Sequence, residues 1–97
     1  MSYLLAPEAE AELADAVAFC LQKFGRGAAQ HFLLTFDAKA RLISEFPGVG
    51  TATTKGRCLF PIGRYPYSIL YRVDDKIVRI GAIAHHSRRP AYWQSRP

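Results

Sequence analysis

Apolar residues recur along this chain first at helical and then at strand spacing, and the change of period divides it in two. Ser2 to Leu5 is a short apolar run cut off by Pro7, which cannot continue a hydrogen-bonded ladder but suits the first turn of a helix. Glu8, Glu10 and Glu12 then sit where the partial positive charge of a helix N-terminus favours carboxylates. Leu13, Val17, Cys20, Leu21 and Phe24 follow at the spacing of one buried stripe, and Gly25 stops the helix. Its weak point is Ala6 at the capping position, which offers the first amides no side-chain acceptor. Ala29, Phe32, Leu33, Phe36, Ala40 and Ile43 predict a second amphipathic helix, ended by Phe46-Pro47-Gly48. The break between the helices is short enough to fold them into a hairpin.

From Pro47 to Gly56 the composition is that of a loop, with three glycines, three threonines and a proline. Strands are expected at 57–62, 67–73 and 76–84, joined by Gly63-Arg64-Tyr65-Pro66 and by a turn centred on Asp74-Asp75. That turn would pair Tyr71 with Val78, Ile69 with Ile80, Arg72 with Ile77 and Leu70 with Arg79. A slip of one residue would mix the two faces. One face is then core, and the other carries Leu70, Arg72, Ile77, Arg79, Ile83 and His85. Half apolar and half basic, it reads as a face left open for a partner. The order strand, helix, helix, strand, strand, strand defines an α+β domain with a helical hairpin on one face of a mostly antiparallel sheet.

Length and composition agree with a single domain spanning residues 1–97, because 97 residues with 49% apolar side chains suffice for one core. No apolar stretch approaches the roughly 20 residues needed to cross a bilayer, and no basic flank leads into a signal-type segment. A soluble, cytoplasmic protein with no membrane partner is expected. Cys20 and Cys58 are too few for a disulfide framework. Charge is unevenly spread: residues 1–50 hold four basic groups against six acidic, and residues 51–97 hold nine against two. A basic second half attracts nucleic acid, an acidic protein segment or an anionic membrane.

Candidate chemistry is sparse. His85 and His86, adjacent on a strand, point to opposite faces with no third ligand nearby, so no metal is expected. Gly48-Val49-Gly50 leads into threonines and a strand, not into the helix of a phosphate-binding loop. No acidic residue is at hand to orient His86 beside Ser87 for serine catalysis. Metal-free RNA cleavage needs only a base, a proton donor and cations around the phosphorane, roles that His85, Arg57, Arg72, Arg79 and Tyr92 could fill. The tail is the most pointed segment. Arg88, Arg89, Tyr92, Trp93 and Arg96 have the composition of a binding hot spot, and Tyr92 and Trp93 could equally fold back over the sheet.

These segments resemble the RelE/ParE toxin superfamily over nearly the whole chain. The resemblance is carried by Leu5-Ala6-Pro7-Glu8-Ala9, Phe24-Gly25, Phe46-Pro47-Gly48-Val49-Gly50, the block from Gly63 to Val73, and the ending from Ile83 to Trp93. The tail of histidine, two arginines, proline, tyrosine and tryptophan looks like the ParE branch. The resemblance implies a bacterial type II toxin, of the kind that inhibits growth and stabilises plasmids, neutralised by direct binding of a cognate antitoxin. ParE-type toxins poison DNA gyrase, need no cofactor and are not regarded as enzymes. RelE-type relatives cut messenger RNA on the ribosome with a lysine-rich cluster. Here Lys55 and Lys76 are the only lysines of the second half, which favours the gyrase branch, while His85 keeps the nuclease alternative in view. The expected assignments are therefore a target-binding tail (Arg88, Arg89, Tyr92, Trp93, Arg96) and an antitoxin-binding face (Leu70, Arg72, Ile77, Arg79, Ile83). No sequence-specific nucleic-acid binding is expected outside the antitoxin complex.

Overall fold

A computed structural model describes residues 2–89 and 91–96; Pro90 of the tail motif lies outside the described residues. Strand β1 (Ser2–Leu5) leads through an extended Ala6, which makes no side-chain cap, into helix α1 (Pro7–Phe24) with its proline in the first turn. Gly25, at φ 91°, ends α1 and at once starts α2 (Arg26–Glu45), so the second helix begins before Ala29.

The buried stripe of α1 is Ala9, Ala16 and Cys20, with Leu13 and Val17 partly covered. Leu21 and Phe24, expected in that stripe, are instead 50% and 71% exposed. Leu21 lies about 100° around the helix from Cys20 and so falls off the flank of the buried stripe, whereas Phe24 is near the Cys20 side but sits at the last position of the helix, next to Gly25. On α2 the expected Ala29, Phe32, Phe36, Ala40 and Ile43 are buried, and Leu33 faces out.

The segment expected as plain loop contains structure. Two 3-10 turns, Pro47–Val49 and Thr54–Gly56, flank a two-residue strand β2 (Thr51–Ala52) that pairs with β3 (Cys58–Pro61). The buried Tyr71 ties this segment down: its hydroxyl donates to Pro47 O (2.6 Å) and accepts from Gly50 N–H (3.0 Å). A Cβ at residue 50 would lie 2.5 Å from that hydroxyl, so only glycine fits there.

With β4 (Tyr67–Asp74) and β5 (Ile77–His85), the sheet runs β1-β5-β4-β3-β2, antiparallel except for the parallel β1–β5 pair. The β4–β5 register differs from expectation in two ways. The turn is centred on Asp75 and Lys76, both left-handed (φ 52° and 67°), which is the twist a two-residue hairpin prefers. Tyr71 therefore opposes Ile80, and Arg72 opposes Arg79. A shift of two residues keeps every side chain on its face, but an irregularity between Leu70 and Tyr71 adds a further one, bringing Leu70 opposite Ala82 and Ile69 opposite Ile83. Beyond Gly81 the faces exchange. Ile83 and His85, expected beside Leu70, lie on the helix side.

Two apolar clusters result. Phe32, Phe36, Ile43, Ile69, Tyr71, Val78, Ile80 and Ile83 pack between the helices and the sheet. On the opposite face Leu70, Ala82 and Ala84 pack under Trp93, with Leu59, Ala91 and Tyr92 around them. The face expected to be open is thus partly closed, and Leu70, expected to expose apolar area, is 1% exposed.

Candidate docking groove and arginine-rich tail

After β5 the chain turns tightly, through bonds such as Tyr92 N–H to Arg89 O (3.2 Å) and Arg96 N–H to Trp93 O (2.9 Å), and lies down across the sheet. Two buried or half-buried charged groups from distant parts of the chain hold it, helped at the surface by Lys55, whose Nζ donates to Gln94 O (3.2 Å). Arg57, just ahead of β3 and 4% exposed, donates to the carbonyls of Trp93 (3.3 Å), Gln94 (3.1 Å) and Arg96 (3.1 Å). Its guanidinium carbon lies 5.1 Å from the centroid of the Trp93 ring. A planar cation with several donors suits such a cluster of carbonyls in a way a lysine would not.

Glu12 of α1 is the second pin. Strand β1 ends opposite Ile80, so the β5 edge beyond it has no strand beside it among the described residues. The side chains of Glu12 and Arg96 stand in for one. Ile83 N–H donates to Glu12 Oε1 (3.1 Å), and Arg96 Nη1 donates both to Gly81 O (3.1 Å) and to Glu12 Oε1 (2.8 Å). Arg96 Nη2 reaches Glu12 Oε2 at 3.2 Å, and the Tyr92 hydroxyl donates to the same oxygen. Arg88 lies 3.8 Å from that oxygen and 3.9 Å from the centroid of the Tyr92 ring.

Burial pushes the Glu12 carboxyl up, but the hydrogen bonds from Arg96, Tyr92 and Ile83, with the charge of Arg96, more than offset it and hold the group below its ordinary value. Burial, with the bond to Glu12, pushes the Tyr92 phenol up to about 12. Both groups keep the protonation state that the pin requires across the neutral range.

The tail covers only part of its face. Beside it runs a groove of about 370 Å³, with Leu4, Pro7 and Glu8 on one side, Arg57 and Arg96 on the other, and Leu70, Ile80 and Gly81 beneath. Arg72 and Arg79 complete it, sharing Asp74, whose Oδ2 is 2.9 Å from Arg79 Nε and 3.9 Å from Arg72 Nη2. The groove combines apolar walls with arginines, the chemistry expected of the antitoxin-binding face, although its members differ. Arg72 and Arg79 are in it, and Leu70 is in it with its side chain largely covered by Trp93. Ile77 is half-buried beside Asp74 in the ladder, and Ile83 is on the other side of the sheet.

The residues of the nuclease alternative are dispersed. His85 stands edge-on to Tyr67 on the helix side, its Nδ1 accepting from Ser87 N–H (3.0 Å), in a hollow that also holds Asp15 and Phe19. Arg57 is buried under the tail, Tyr92 is bound to Glu12, and Arg72 and Arg79 face the groove. Of the tail residues, Arg88 and Arg89 are exposed, Tyr92 and Arg96 are half-buried, and Trp93 is 5% exposed.

Glu12 is the residue that reading the sequence missed. Its nearness to the helix N-terminus suits the dipole, yet it falls on the inward flank of α1 between Ala9 and Ala16, where an acid demands a partner. That position was the available signal.

Residues 3–90 match the ParE toxin of type II toxin-antitoxin system, parDE, and the chain belongs to this family. The fold is similar to that of a chain in the chromosomal ParDE TA system from P. aeruginosa, with a TM-score of 0.77 and 20% identity, covering 88% of this chain and 95% of that one. Among curated proteins none matches the sequence. No described helix is long and apolar enough to cross a membrane.

Proposed function

We infer that this ParE-type toxin inhibits growth by binding DNA gyrase through its arginine-rich end, and that an antitoxin neutralises it by docking in the groove beside the tail. The observation that carries the reading is the disposition of the tail. Arg88 and Arg89 are exposed on a segment fixed by Glu12 and Arg57, and Arg88 is further steadied over the Tyr92 ring beside Glu12, so they meet a protein target from a preorganised base. Tyr92, Trp93 and Arg96 serve the target contact by shaping that segment. Dispersal of His85, Tyr92 and the arginines over two faces favours target binding over RNA cleavage, because acid, base and phosphate cations must converge within hydrogen-bond reach of one substrate. The groove suits a segment carrying apolar anchors and acidic residues, with charge mainly setting its association rate.

Titrating purified gyrase with the toxin in a supercoiling assay tests this. Supercoiling should fall and cleaved DNA accumulate, and Arg88→Ala with Arg89→Ala should remove most of the effect while Trp93 stays buried. Unaffected supercoiling, with codon-phased cuts in messenger RNA that vanish in His85→Ala, would transfer the function to the nuclease branch.

A further inference from the structure

Two arginines of the groove share an acid of their own chain. Arg72 and Arg79 sit directly opposite each other on β4 and β5, and like charges at such positions repel. They face the same side of the sheet, so each guanidinium raises the potential at the other. The chain answers with Asp74, two residues beyond Arg72 and on the same face, whose single oxygen Oδ2 contacts both. All three side chains are open to water, where an ion pair contributes little and exchanges freely. Arg79 uses only its Nε on Asp74, so the rest of its fork is available to another acceptor.

We propose that Arg72 and Arg79 form a carboxylate subsite in which Asp74 is a placeholder, and that an Asp or Glu of the antitoxin's docking segment displaces it. The inference rests on the groove being the antitoxin's seat. The occupant is an acidic, partly apolar segment, because the arginine pair adjoins Leu4 at the apolar end of the groove; Arg79 is the residue of β5 paired with Leu4 of β1. A side chain anchored against Leu4 would bring a neighbouring carboxylate to the pair, replacing one shared oxygen with a two-oxygen contact. Asp74 then sets specificity: it lowers the groove's affinity for weakly acidic segments, and only a better-placed carboxylate evicts it.

The test is the association of the toxin with its immobilised cognate antitoxin. Asp74→Asn keeps the shape of the side chain and suits the start of the turn, so the hairpin should form; circular dichroism and Trp93 fluorescence check it. The variant should associate about threefold faster at low salt, an advantage that shrinks as salt is added. Asp75→Asn makes the same change in net charge one residue away, at a side chain in no ion pair among the described residues, and should gain much less. Equal gains in the two variants would reduce the effect to net charge and overturn the proposal. Slower or unchanged association of Asp74→Asn also overturns it. Where Asp74→Asn overturns the proposal, the double reversal Arg72→Glu with Arg79→Glu separates the causes: if it abolishes binding, the groove stands and only the placeholder falls. If it leaves binding intact, the groove reading falls too.

Discussion

On the helix face the sheet is covered by side chains that need only be apolar and of about the right size, whereas on the tail face Trp93 is held down by charged groups that each require a particular partner. Ala9, Phe32, Phe36 and Ile43 find the sheet through helical periodicity, and many alternatives would serve almost as well. The tail has no such redundancy: Arg57 must meet three carbonyls, and Glu12 must meet Arg96, Tyr92 and Ile83 N–H. Apolar closure sets how stable the domain is. Polar closure sets where the exposed arginines point, and it can be loosened without dismantling the fold.

The harshest challenge to that contrast is a cavity on the helix side. Phe32 is fully buried and meets Tyr65 and Tyr67 edge-on, with ring centroids at 4.8 and 5.4 Å. Phe32→Ala should cost about 3–5 kcal/mol and shift the whole urea transition, with backbone and Trp93 signals moving together. If Trp93 were released well before the helices melted, the two faces would be less coupled than one domain requires.

A milder change should separate them. Glu12→Gln leaves the helix intact but removes the carboxylate that Arg96 and Tyr92 share and that Ile83 N–H uses, at a cost of about 2 kcal/mol. Trp93 is the only tryptophan, so its emission reports the tail alone and should shift to the red. Hydrogen exchange should quicken in residues 81–83 and 91–96 and stay slow in α2 and β4. Uniform loss of protection would mean that the pin is part of the main core.

The same contrast governs what the sequence revealed. Features written in local periodicity were legible: the hairpin helices, β4 and β5, and most of the α2 core. Gly81 was a lone glycine in a strand, which hints at a bulge, but nothing nearby says on which side of it the faces exchange. A turn one residue earlier is what the sequence suggests, because a lysine at positive φ is not an expected turn residue. Glu12 and Arg96 are 84 positions apart, and no spacing rule connects them. The two-residue β2 is too short to carry a period, although Gly50 and Tyr71, which tie it down, both fall in segments that carry the family resemblance.

The smallest expected effect comes from pH and touches only the polar closure. The folded-state value of Glu12 is lowered, so its contribution is complete above the ordinary carboxylate value of 4.5 and is lost as pH falls through the lowered one. Tyr92 is raised from 10.0 to about 12, so its contribution is complete below pH 10 and is lost as pH climbs towards 12, where a phenolate would face the Glu12 carboxylate. Trp93 emission should therefore stay flat through the neutral range and shift to the red at both extremes. Tyr92→Phe should abolish the alkaline step, and Glu12→Gln should flatten both. Tyr3, Tyr67 and Tyr71 are also raised, by burial first, but they stand on the helix face, so their ionisation should appear as loss of helix by circular dichroism and not as a tail-only event. An alkaline Trp93 shift that persists in Tyr92→Phe and coincides with helix loss would show that the tail leaves only when the domain unfolds. Arg88 and Arg89 would then be held as firmly as the core itself.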